Sequence, residues 1–164
     1  MTDSSLPPST HNLSALSAEL IHKGQAYYTA NYKPREMILD HGKGAKLWDL
    51  DGNEYIDFSA GIAVSSLGHQ DPDLLKALVD QAHKLWHTSN VFFTEPPIRL
   101  AEALVQSVGW AKRVYLCNSG AEANEAMIKL VRKTAADKGK PPEQREIISF
   151  TGSFHGRTLA AVTA

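Results

Sequence analysis

Two short stretches carry the side chains best equipped for chemistry. In "LCNSGAEANEAMIKL", residues 116–130, an apolar end gives way to Asn-Ser-Gly-Ala and a good helix begins on Ser119. Ser119-Gly120-Ala121-Glu122 fits the S-x-x-E capping box, in which the hydroxyl and the carboxylate satisfy free backbone N–H groups. The same helix start can instead receive a phosphate. The N–H groups of Gly120 and Ala121 lie at its positive end, and neither residue puts a bulky side chain in the way. A Glu122 carboxylate folded back on the turn would crowd a dianion, so phosphate binding implies that Glu122 turns away. The second stretch, "TGSFHGRT", residues 151–158, gathers an aromatic ring, an imidazole and a guanidinium in one loop. Phe154 can cover a flat heterocycle, and Arg157 can grip a carboxylate with a bidentate fork. The patterns G-x-x-x-x-G-K-[ST], G-x-G-x-x-G after a strand and G-x-S-x-G are absent, which argues against a nucleotide site and a serine nucleophile.

Each stretch needs an element that delivers it. "RVYLCN" reads as a short buried strand, the segment from Ser119 to about Asp137 as a helix, "GKPPEQ" as a loop and "EIISF" as a second strand. Strand, helix, strand implies a parallel pair with a right-handed crossover. In open α/β sheets ligands sit at the carboxyl ends of the strands, where both stretches would then lie. Upstream, Leu16, Leu20, Tyr27 and Tyr28 predict a helix near 14–30, stopped at "NYKPRE", where Pro34 pushes Lys33 out of the helical region. Asp51-Gly52 predicts a β-hairpin. A two-residue turn would set Asp49 opposite Glu54, a like-charge pair that favours a longer loop. Asp71-Pro72 opens a helix with a Leu74, Leu75, Leu78, Val79, Ala82, Leu85 stripe, and Thr94-Glu95-Pro96-Pro97 opens another, buried through Ile98, Ala101, Leu104 and Val105.

The 164 residues carry a formal net charge of −1, so no basic field favours nucleic acid or an anionic membrane surface. A small molecule or another protein is the expected partner. The single cysteine, Cys117, reads as a small core residue on the buried strand, and no C-x-x-C spacing suggests a metal. No apolar run approaches a membrane span and the N-terminus lacks a targeting pattern, so a cytoplasmic location is expected. Residues 1–12, rich in Ser, Thr and Pro, read as a disordered leader. Parallel strands want more neighbours than two, and the sequence stops inside what reads as the next helix, so an N-terminal portion of a larger α/β domain is expected.

"NSGAEANEAMIKL" with "FTGSFHGRT", preceded by "LWDLDGNEYIDFSAGIAVSSLGH", resembles the class III pyridoxal-phosphate-dependent aminotransferases, most closely the acetylornithine branch that serves arginine biosynthesis. The similarity runs from about Tyr32 to the last residue, with the motifs in the family's order and spacing. It implies the α/β architecture of fold type I (aspartate-aminotransferase-like): a large domain holding pyridoxal 5'-phosphate, a smaller domain built from both chain ends, and a homodimer. Residues 13–70 would then belong to the small domain, and 71–164 would begin the large one. Ser119, Gly120 and Ala121 match the family residues that bind the cofactor phosphate, and Phe154 matches the aromatic residue stacked on the cofactor ring. Arg157 matches the arginine that takes the substrate carboxylate, and Tyr32 sits where related ω-aminotransferases place a tyrosine at the same carboxylate. His155 has no role beyond shaping the loop.

The reaction so implied moves the terminal amino group of N-acetylornithine to 2-oxoglutarate. Neighbouring ω-aminotransferases act on ornithine, succinylornithine or 4-aminobutyrate, and a non-catalytic phosphate- or protein-binding role is the reading outside enzymes. The family's Schiff-base lysine, and the aspartate that pairs with the pyridine nitrogen, have no counterpart in these residues. Lys129 and Lys133 are expected on the solvent side of the helix, with Glu125 pairing Lys129 at i, i+4. The chain alone is therefore expected to hold part of a site and to be inactive.

Overall fold

The computed structural model describes residues 12–164, so all of the expected leader except Asn12 lies outside the described residues. The chain divides into two compact units, one ending at His87 and the other running from Thr88 to Ala164.

In the first unit, α1 (Ala15–Tyr27) falls inside the span that its apolar spacing predicts. Ser14 caps it, accepting from the Ser17 N–H. Ser17 Oγ and the Ser14 N–H both donate to Asp51 Oδ1, at 2.9 and 3.3 Å, tying the helix start to the hairpin turn. Strands β1 (Leu39–Lys43), β2 (Lys46–Asp49) and β3 (Glu54–Ile56) form an antiparallel sheet in that order. Leu47 faces Tyr55 and Trp48 faces Glu54. The longer loop therefore wins: Asp49 donates its N–H to the Asn53 carbonyl, and Glu54 instead meets Lys46 at 2.7 Å.

The buried Asp49 carboxylate closes the turn. It accepts from the N–H groups of Asp51 and Asn53, from Asn53 Nδ2 and from the Tyr55 hydroxyl, at 2.7 to 3.0 Å. Burial raises its pKa, but the Asn53 and Tyr55 hydrogen bonds outweigh burial and hold it down to about 2. Asp57 is similar. His69 Nε2 donates to it at 2.8 Å, and Ser59 and Ala60 donate to its other oxygen. The His69 contact is the main reason its pKa is also lowered to about 2. Asp57 thereby holds the front of α2 (Ala60–Ala63), a single left-handed turn with φ of 44, 62, 63 and 63°.

Both carboxyls titrate lower in the folded state than the unfolded value of about 3.9. Their contribution is therefore complete above that value and is lost as pH falls through about 2. Thermal melts should show this unit losing stability between about pH 4 and 2, with the slope flattened in Asp49→Asn and Asp57→Asn. An unchanged slope in both variants would refute the assignment.

Helix α3 (Pro72–Ala82) starts as its sequence predicts, with Asp71 Oδ1 accepting from the N–H groups of Asp73 and Leu74 and Pro72 at the first position. It stops short of Leu85. Its apolar stripe lies open to solvent instead of forming a core, with Leu78 65% exposed.

In the second unit, α4 (Glu95–Ser107) is likewise unburied: Ile98 and Leu104 are exposed where a covered face was expected. Helices α5 (Gly120–Asp137) and α6 (Leu159–Thr163) pack together, and their Ile128 and Ala161 are buried. The expected parallel strands at 113–118 and 146–150 do not form among the described residues. A parallel ladder is stable when neighbouring strands and covering helices bury it on both faces, and these segments lack such cover. Tyr115, Ile148 and Phe150 are exposed. Cys117, expected in a core strand, is exposed for the same reason. No helix among the described residues is long and apolar enough to cross a membrane.

Candidate functional site

The start of α5 is a formed cap. Ser119 has extended backbone, and its Oγ accepts from the Glu122 N–H at 3.2 Å. Glu122 Oε2 accepts from the Asn118 N–H at 2.7 Å and from the Ser119 hydroxyl at 3.3 Å. The carboxylate is thus folded back on the entry turn. Helix geometry gives the Gly120 and Ala121 N–H groups no carbonyl within the helix, so they remain the donors this end can offer a ligand. Nothing lies within 4 Å of the place a Gly120 Cβ would take, so the approach is open.

The loop 153–158 comes against this helix start at three places. A Cβ on Gly156 would lie 2.7 Å from Ala121 Cβ and 3.0 Å from Ala121 Cα, so the contact is possible for glycine only; its φ is 129°. Asn124 Nδ2 donates to the His155 carbonyl at 2.7 Å. Glu125 Oε1 accepts from Thr158 Oγ1 at 2.5 Å and from the N–H groups of Ala160 and Ala161 at 3.0 and 3.2 Å.

Glu125 therefore corrects its expected pairing with Lys129. A hydroxyl and two helix-terminal N–H groups converge on one oxygen, which outweighs the few tenths of a kcal/mol of an exposed i, i+4 pair. Its carboxyl is held below the usual range, first by the Thr158 hydroxyl; Lys129 adds the least of the causes. Lys133 pairs with Asp137.

The result is an open cavity of about 440 Å³ lined by Gly120, Ala121 and Asn124 from α5 and by residues 154–158 of the loop. The Arg157 guanidinium lies 5.0 Å from the centre of the Phe154 ring, a cation–π distance, and the ring is 71% exposed. A guanidinium, an aromatic face and a helix N-terminus share this space, which suits an anionic, flat ligand carrying a phosphate. His155 Nδ1 is buried and has no hydrogen-bond partner among the described residues. The structure thus brings together Gly120, Ala121, Phe154 and Arg157, while Ser119, the residue before Gly120, does not line the cavity and its hydroxyl is engaged with Glu122. Tyr32 belongs to the other unit, where it is 61% exposed. Sequence reasoning gave Asn124 no role and Glu125 the wrong partner, since their partners lie 31 to 36 residues away and no local spacing announces them.

The family model described as Aminotransferase class-III matches residues 27–164. The acetylornithine aminotransferase of Xanthomonas campestris pv. campestris is 61% identical over 138 residues, covering 84% of this chain and 34% of that protein. The crystal structure of N-acetylornithine aminotransferase from Stenotrophomonas maltophilia K279a gives a TM-score of 0.75 at 57% identity, over 83% of this chain and 36% of that one. The ornithine aminotransferase from Toxoplasma gondii ME49 gives a TM-score of 0.84 at 34% identity, over 90% of this chain and 35% of that one. The chain spans about a third of the length of the curated relatives it matches.

Proposed function

The chain belongs to the class-III aminotransferases, and from that premise we propose that it supplies part of a pyridoxal 5'-phosphate site in an enzyme of fold type I. That enzyme transfers the terminal amino group of N-acetylornithine to 2-oxoglutarate. The convergence of the α5 start and the 153–158 loop on one cavity carries the reading. The acetylornithine aminotransferases at 57–61% identity support the choice of substrate.

The residues fit the cofactor. The open approach over Gly120 leaves room for a phosphate at the helix end, and the exposed Phe154 ring offers a face to a pyridine. When bound, pyridoxal phosphate supplies an electron sink for the carbon that loses its proton. Ser119 and the N–H groups of Gly120 and Ala121 hold the phosphate at the positive end of α5. Glu122 gives up its contact with the Asn118 N–H to make way for that charge. Phe154 stacks on the ring and Arg157 orients the substrate by its carboxylate. The longer protein is read as a cytoplasmic homodimer with small and large domains meeting near residue 70.

No lysine lines the cavity, so residues 1–164 alone are expected to form no glutamate from N-acetylornithine. Detectable product would overturn this. In the full-length enzyme, Phe154→Ala should weaken cofactor retention, read from its absorbance. Arg157→Ala should raise the KM about 10- to 100-fold with cofactor still bound, the worth of a charge-assisted hydrogen bond. Loss of cofactor on Arg157→Ala would reassign that residue. A panel of N-acetylornithine, ornithine, succinylornithine and 4-aminobutyrate tests the substrate. Ornithine is the first competitor, given the TM-score of 0.84 to an ornithine aminotransferase.

A further inference from the structure

Within the site, Phe154 and Arg157 stand three residues apart on a loop whose own backbone makes little regular structure. What orients them comes from the second turn of α5. Asn124 takes the carbonyl of His155, the residue next to Phe154. Glu125 takes the hydroxyl of Thr158, the residue next to Arg157, together with the Ala160 and Ala161 N–H groups in the first turn of α6. Between these anchors Gly156 rests on Ala121, so the loop cannot slide as one body without losing that contact. Two consecutive side chains on one helix thus reach the same loop on either side of Gly156.

We propose that Asn124 and Glu125 are positioning residues with separate duties: Asn124 sets the ring face of Phe154, and Glu125 sets the guanidinium of Arg157. This rests on the site reading given above. Each anchor is tied to the helix that presents the phosphate donors, so both functional side chains keep a fixed offset from that helix end. Neither Asn124 nor Glu125 needs to touch cofactor or substrate to act.

The test uses the full-length enzyme and two readouts: the pyridoxal phosphate dissociation constant of the apo form, by absorbance titration, and the KM for the carboxylate-bearing amino donor in the loaded form. Asn124→Ala should weaken cofactor binding about fivefold, the worth of one hydrogen bond, with KM nearly unchanged. Glu125→Ala should raise KM by a similar or larger factor while cofactor binding holds. Glu125→Gln keeps an acceptor oxygen and should recover most of the loss. Thr158→Val should act in the same direction as Glu125→Ala, by a smaller amount, and add little to it in the double variant, since Glu125→Ala already removes the Thr158 contact. Variants that move both readouts together in proportion to a lowered melting temperature would show a structural role only and overturn the proposal. So would variants that move neither. Phe154→Ala and Arg157→Ala run beside them. If those two fail to shift retention and KM respectively, the site reading fails and takes the proposal with it. If they shift as expected while Asn124→Ala and Glu125→Ala do not, the positioning roles alone fail.

Discussion

Gly156→Ala is expected to destabilise the loop against α5 by about 1–3 kcal/mol, the usual range for forcing a methyl into a filled space. The new Cβ would meet Ala121 Cβ at 2.7 Å and Ala121 Cα at 3.0 Å, and the second of these is backbone, which cannot swing aside. A φ of 129° adds strain for any residue with a side chain. The loop must lift, which lengthens the bond from Asn124 to the His155 carbonyl and moves Phe154 and Arg157 together. Cofactor retention and substrate KM in the full-length enzyme should therefore worsen in parallel. Ala121→Gly in the same chain removes the methyl at 2.7 Å and should restore part of both. Wild-type retention in Gly156→Ala would mean that the loop does not rest on Ala121.

Gly120→Asp should do the reverse to stability and more to binding. Nothing lies within 4 Å of the new Cβ, and an aspartate in the first turn of a helix complements its dipole, so the melting temperature should hold or rise slightly. The carboxylate would nevertheless stand where the phosphate is proposed to sit. Like charges at about 4 Å repel by about 4 kcal/mol near a protein surface, so cofactor affinity should fall on the order of 100- to 1000-fold. Gly120→Asn carries a side chain of similar size without the charge and should lose much less. Equal losses in the two variants would point to bulk, and unchanged affinity in Gly120→Asp would remove the phosphate from this helix end.

The helix starts and the hairpin were legible because their signals are local. Ser119 caps the residue three places on, Asp71 does the same before Pro72, and the Asp49–Glu54 repulsion correctly favoured the longer turn. The meeting of the two chemical stretches was legible as well, although the parallel strands invoked to bring them together are not formed. Tyr115, Ile148 and Phe150 are apolar enough for a buried strand, but apolar runs become strands only when neighbours exist to pair with and cover them. Helix packing of α6 on α5 does the joining instead. Glu125 could not be placed from its surroundings: Lys129 is four residues away, whereas Thr158 is 33 away and wins.

That separation has a consequence in time. Helix α5 is a local structure that can form on about the microsecond scale, whereas its bonds to the loop close a span of 31 to 36 residues. The helix end should therefore exist before the loop arrives, and weakening the clamp should speed departure more than it slows arrival. Glu125→Ala should accordingly quicken amide exchange at Ala160 and Ala161, whose N–H groups Glu125 holds, while exchange within the middle of α5 stays as it was.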